Sequence, residues 1–311
     1  MIAALLVSLL MPFAAPVLVR EAAPRMRPVA AMWALSATAC VLVAGWLAAL
    51  GGLLLAGALT VPAVARLGHL IHPWNVEPAA VAYPATALAV GALSVCACAI
   101  TRSATRRLRE YRAAHAQLRY ASSAGDLSIL DRSDADAYAL PGNPGRVVVT
   151  SGMLRALDGP EREALLAHER AHLAGRHHYF LAAADLGARC HPALRGLRDA
   201  IGLAVERVAD ESAASAVGDR TLTARAIGRA ALAGNAGGAA RPSFAAGAAG
   251  GPVPQRVRAL LRPTAPRRGQ TVAAACLLLA VSAAALAGTT DGLVSLHRKV
   301  EIAQGEAPRG D

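Results

Sequence analysis

The apolar residues of this chain are bunched rather than spread, and the bunches have the length of a bilayer crossing. Residues 2–19, a stretch within 30–65, 79–100 and 271–287 are each close to the about 20 mostly apolar residues that a membrane helix needs. Lipid offers backbone groups no hydrogen-bond partner, so each such stretch has to satisfy its own N–H and C=O groups as a helix. Pro12 and Pro16 fall inside the first stretch and are tolerable there at some cost. The second is over-long, which predicts tilt or an extension into the interface. No basic region precedes the first apolar core, so it reads as a retained span rather than a cleaved signal.

A net charge of +11 would ordinarily point to nucleic acid. Here aromatics are only 4% of the residues and the arginines flank the apolar stretches, so no direct nucleic-acid binding is expected. Arg20, Arg25 and Arg27 crowd the loop after the first span, and Arg102, Arg106, Arg107, Arg109 and Arg112 follow the third. Arg262, Arg267 and Arg268 precede the fourth, whereas residues 66–78 hold one arginine and no lysine. By the positive-inside bias this predicts a multi-pass cell-membrane protein with 101–270 cytoplasmic. The N-terminus and the tail from about 289 are then extracellular. The domain plan that follows is 1–100 as a three-helix membrane region, 101–262 as a cytoplasmic domain, and 263–311 as a fourth span with a short tail. The five cysteines are not spaced as a thiolate metal cluster or a disulfide framework.

Within the cytoplasmic part, 101–120 reads as a basic helix suited to anionic headgroups. Residues 135–140 and 146–150 are strand candidates around Pro141-Gly142-Asn143-Pro144-Gly145, which predicts a hairpin. A free hairpin edge could hold an extended peptide, although a purely structural hairpin explains the same residues equally well. A short helix over 151–157 follows. Asp158-Gly159-Pro160-Glu161 then has the marks of a helix start, with Asp158 as cap.

That helix carries His168-Glu169-Arg170-Ala171-His172. Two histidines four apart stack one turn above each other and can converge on one Zn²⁺, with Glu169 placed as general base. A third ligand is needed, and two choices exist. His178 would complete HExxHxxGxxH with Gly175 as the turn, a metzincin-like pattern. That pattern wants a methionine downstream, and Met1, Met11, Met26, Met32 and Met153 all precede the motif. The favoured choice is Glu206, 34 residues after His172, in a helix expected over 196–217. It would make a two-histidine, one-carboxylate site with the fourth position left to water. Asp210, one turn later, is placed to fix a ligand histidine by a hydrogen bond.

With these residues in view, the chain resembles the membrane-embedded gluzincin peptidases of the M56 type, kin of the antibiotic-sensing transducers. More distantly it resembles the M48 group of CAAX-processing and HtpX-like peptidases. The resemblance rests on four spans with the motif between the third and fourth, and on Arg146-Val147-Val148-Val149-Thr150-Ser151-Gly152-Met153-Leu154. Glu206 with Ala209-Asp210, and Gly218-Asp219-Arg220, add to it. It implies a mostly α membrane protein with an α+β zincin-like domain, Zn²⁺ on His168, His172 and Glu206, Glu169 as catalytic base, and Asp210 supporting a ligand. The implied partners are the lipid bilayer and a protein or peptide substrate, for instance a cytoplasmic transcriptional repressor; a homodimer is left open. The roughly 23 residues after the last span have no room for the sensors' penicillin-binding domain and no Ser-x-x-Lys, so direct β-lactam sensing is not expected. His191 or Arg189 would be oxyanion candidates by proximity in sequence alone. His69, His72 and Trp74 fit an interfacial outer loop, and residues 233–254 read as a flexible linker. The rival reading from another class is a catalytically silent zinc-binding membrane receptor.

Overall fold

The computed structural model describes residues 2–69, 79–237, 252–262 and 268–305. The chain opens with α1 (Ile2–Leu10), α2 (Ala15–Ala22), α3 (Pro28–Ala58), α4 (Pro62–Leu67) and α5 (Ala79–Gln117). Strands β1 (Ser122–Ala124), β2 (Leu127–Leu130), β3 (Ala137–Leu140) and β4 (Arg146–Thr150) follow. Then come α6 (Ser151–Ala156), α7 (Gly159–Ala174), α8 (His177–Cys190) and α9 (Arg195–Val217). The last helices are α10 (Arg220–Gly237), α11 (Val253–Leu261) and α12 (Arg268–Ala303). Four helical stretches are long and apolar enough to cross a membrane: Ala3–Arg25, Pro28–Ala58, Ala80–Tyr120 and Arg268–Ala303. This is a mostly α, multi-pass membrane protein with a small mixed sheet between its third and fourth spans.

The spans differ from the sequence reading in ways their residues explain. Pro12 lacks an N–H, and the first span answers with a 3-10 turn at Met11–Ala14 between α1 and α2. The basic segment after residue 100 is no separate element. It continues the third span as one helix to Gln117, because its alanines and arginines, with Leu108 and Glu110, are good helix formers. The fourth span also runs on, to Ala303, where a tail was expected from 289. Gly288, Thr289 and Gly292 are buried there against the first span. Ser8 Oγ donates to the Ala285 carbonyl at 2.9 Å and shares a 2.8 Å bond with Thr289 Oγ1. A Cβ on Gly288 would come within 2.8 Å of the Ala4 carbonyl oxygen, so only glycine allows the two helices this close. Of the expected linker, 233–237 belongs to α10 and 253–254 to α11, and the middle lies outside the described residues. His72 and Trp74 also lie outside them.

The sheet order is β1-β2-β4-β3, with β2 and β4 parallel and the other pairs antiparallel. The β3–β4 hairpin forms across the Pro-Gly turn as its residues predict, in the register Ala137↔Val149 and Leu140↔Arg146. One sheet face packs Leu130, Tyr138, Leu140 and Val148 against Tyr111 and Ala114 of α5. The other packs Val149 against Met153, Leu165 and Ala230. A third core covers the apolar face of the helix expected over 196–217, against a partner that the sequence leaves open. Leu197, Ile201, Ala204 and Val205 of α9 pack with Leu18, Leu35, Leu42 and Leu278 of the spans. The helix bearing Glu206 is thereby anchored directly on the membrane helices.

Candidate metal centre

The frame of α7 is set at its first turn. Asp158 accepts from the Glu161 N–H at 3.0 Å, and Glu161 accepts from the Asp158 N–H at 3.0 Å, a reciprocal capping box. Arg225 and Arg229 of α10 grip the buried Glu161 carboxylate at 3.0 and 2.7 Å, fixing α7 against its neighbour. Two turns further along, His168 and His172 project from one face of α7 toward α9.

The structure brings His168, His172 and Glu206 together. The two Nε2 atoms are 3.1 Å apart, and Glu206 places Oε2 3.5 Å from His168 Nε2 and Oε1 3.8 Å from His172 Nε2. A tetrahedral ion with bonds of about 2.05 Å has donor–donor edges of about 3.3 Å. One ligand atom from each of the three residues lies within 4.8 Å of the others, and all three side chains are buried. Two imidazole nitrogens and a carboxylate facing one another make a poor hydrogen-bond arrangement and a suitable cation site. Glu169 is 0% exposed, in the next position along α7. His178 is not in this cluster.

Around the three lie groups that orient them. Asp210 Oδ1 is 3.0 Å from His168 Nδ1. His177 Nδ1 is 2.9 Å from His172 Nδ1, leaving Nε2 of His172 turned inward. Arg256 of α11 is wholly buried and holds both acids of α9. It is bidentate to Asp210 at 2.8 and 2.6 Å, and its Nη1 is 2.9 Å from Glu206 Oε2.

These contacts set the protonation of the cluster. Burial works against a charge on His168, but hydrogen bonds to Asp210 and Glu206 prevail and raise its pKa to about 9. His172 is pushed well below the usual histidine value, by burial first and then by the charge of His168. Burial pushes His177 down to about 4, which suits a neutral ring accepting a hydrogen bond from His172.

Two of these residues escaped the sequence reading. Arg256 has one faint signal: it shares the apolar side of α11 with Leu260, and a lone arginine on such a face needs an acidic partner. His177 has none beyond standing beside His178. The oxyanion candidates are engaged elsewhere. His191 lies edge-on to Phe13 and Trp46 of the spans, and Arg189 pairs with Asp185.

A family model described as Peptidase family M48 matches residues 102–194, under a third of the chain. The match takes in the C-terminal part of α5, the sheet, α6, α7 and α8, and stops before Glu206, Asp210 and Arg256. No curated protein and no solved structure matches the chain. The match and the four spans support a membrane-associated metallopeptidase related to that family.

Proposed function

We propose that the protein is a membrane-bound zinc metalloendopeptidase, with His168, His172 and Glu206 as ligands and Glu169 as general base. The observation that carries this is the convergence of His168 Nε2, His172 Nε2 and the Glu206 carboxylate beside a glutamate that is not part of the cluster. When bound, the ion supplies a Lewis acid that activates water and polarises the scissile carbonyl. The chain's own groups do the rest. Asp210 and His177 hold the Nδ1 sides of the two histidines and so present both Nε2 atoms inward. Glu169 takes the proton of the attacking water and returns it to the leaving amine. Arg256 gives both buried carboxylates a counter-charge, and against the effect of burial its hydrogen bonds help hold the Asp210 carboxyl below the usual range.

The expected role is regulatory proteolysis of a cytoplasmic or membrane-proximal protein such as a transcriptional repressor. The arginine clusters support a cytoplasmic site, and the packing of α9 on the spans supports a link between membrane helices and the site. One observation favours the rival, a zinc-binding receptor without turnover: the described residues bury the whole cluster, Glu169 included.

The two readings separate in one experiment on the full chain in detergent, loaded with zinc and given unfolded protein substrates. The proposal expects cleavage by the parent protein. It expects Glu169→Gln to keep one zinc per chain and to lose about 10²- to 10⁴-fold in rate. Stoichiometric zinc with no cleavage dependent on Glu169 would establish the receptor instead. Absence of zinc from the parent protein would sink both.

A further inference from the structure

A groove of about 910 Å³ opens where β3 ends, between the C-terminal part of α5, the β3–β4 turn and the α7–α8 corner. Its size is that of a site for a ligand or several peptide groups. It adjoins the metal centre through α7. Leu173, next in sequence to His172, forms part of its wall, and the turn at Gly145 packs so near that a Cβ there would lie 3.2 Å from Leu173. Arg107, Arg176 and His178 line it, with Tyr111 and Tyr179, and no acidic side chain does among the described residues.

The charges are not equivalent. Arg107 is balanced by Asp185 at 2.8 Å, and Asp185 is shared with Arg189. Arg176 is exposed and has no ion-pair partner among the described residues. It sits at the helix corner with φ 48°, a left-handed conformation that directs the chain sharply from α7 into α8. His178 is held below the usual histidine value, by burial and then by the nearby Arg176 charge, and so leaves the fixed charge to the arginine. A groove at the end of an edge strand, walled by Leu173 and His178, the neighbours of His172 and His177, and carrying a guanidinium with no ion-pair partner among the described residues, matches an extended peptide with a carboxylate side chain.

We propose that this groove is a specificity site that receives an acidic side chain of the peptide substrate, with Arg176 as its counter-charge. The proposal rests on the peptidase reading for its substrate, but its central claim concerns binding and is testable without turnover.

The test uses the zinc-loaded full chain carrying Glu169→Gln, in neutral detergent, with fluorescent peptides acetylated and amidated at their ends. The peptides differ only in holding Glu, Gln or Lys at one position, scanned along the sequence. Blocked ends remove terminal carboxylates as the source of any preference. At one position the Glu peptide should bind about fivefold tighter than the Gln peptide, the size of one solvent-facing charge contact. The Lys peptide should bind more weakly still, and added salt should compress the difference. Arg176→Asn, which tolerates the left-handed backbone, should bring the Glu-to-Gln ratio near one, and Arg176→Lys should restore it. In the protein with Glu169 intact, the same preference should appear in KM rather than kcat.

Equal binding of all three peptides would overturn the proposal, as would a Glu preference that survives Arg176→Asn. Loss of binding to phosphatidylglycerol nanodiscs in Arg176→Asn, with the peptide preference intact, would make the groove a lipid site and also overturn it. An Arg176-dependent preference without any cleavage would leave the groove standing and remove the peptidase reading. Cleavage without the preference would do the reverse.

Discussion

Helix α7 and the pair α9 and α11 contribute to one cluster by opposite means. α7 brings two imidazoles and a glutamate from a five-residue run, on a helix whose start is fixed by its own capping box. α9 brings two carboxylates from an ordinary amphipathic helix, and α11 brings one buried arginine from 46 residues beyond Asp210. On α7 the chemistry is local, so sequence spacing nearly determines the geometry. On α9 and α11 it exists only once three helices meet, and it depends on packing against the spans. The lesson is that the two imidazoles of the candidate site come preformed, while its carboxylate and its charge balance are assembled.

The sharpest way to break that contrast is to remove the third donor. Glu206→Ala should take bound zinc from one per chain to a small fraction, read by metal analysis after gel filtration, while His178→Ala should keep it. Loss in His178→Ala with retention in Glu206→Ala would hand the ligand role to the α7–α8 corner.

Next in size is the charge balance. Arg256→Met leaves Glu206 and Asp210 buried without their cation and should cost about 3–5 kcal/mol in the metal-free protein. Zinc would return part of that by supplying positive charge to Glu206. The rise in thermal midpoint on adding zinc should therefore be larger in Arg256→Met than in the parent protein. An equal rise would mean that Arg256 serves only to pack α11. Asp210→Asn should be milder, weakening zinc binding about 10- to 100-fold through the orientation of His168.

The two sides of the cluster also predict a pH signature. In the metal-free protein His168 titrates at about 9, above its ordinary 6.5. A raised folded-state pKa contributes stability that is full below the unfolded value and is lost as pH rises through the folded one. The metal-free protein should therefore lose stability from about pH 6.5 to pH 9. Zinc takes the place of that proton, so binding should release it and tighten as pH rises across the same window. Calorimetry in buffers of different ionisation enthalpy counts the protons, and a count of zero at pH 7 would contradict the assignment.

Legibility follows the same division. The four apolar stretches, the hairpin around Pro141–Gly145, the cap at Asp158 and the α7 motif are all local patterns, and each forms where its residues point. Glu206 and Asp210 are legible as a carboxylate pair whose place in a second helix, 34 residues after His172, favours them; the fold brings them to His168 and His172. The ends of the spans were misjudged because hydropathy locates apolar residues, not helix termini. α5 and α12 continue through polar sequence that is still good helix. Arg256 is not legible because one of two arginines in a nine-residue helix carries no pattern until its partners arrive.

The smallest effect is expected inside the motif itself. Arg170 stands between Glu169 and His172 in sequence, yet it points away from the cluster and pairs with Asp126 at 2.7 Å on the surface. The hydrogen bond from Arg170 holds the Asp126 carboxyl below its usual range. A depressed carboxylate pKa gives stability that is present above the unfolded value and lost as pH falls through the folded one. Both partners are about half exposed, so solvent screens the pair and Arg170→Ala should cost only about 0.2–1 kcal/mol near neutral pH, less in acid or high salt. Zinc content and cleavage rate should not change. A large loss of either would mean that the outward face of α7 takes part in the site, and that the division between preformed donors and assembled charges runs through the helix rather than between helices.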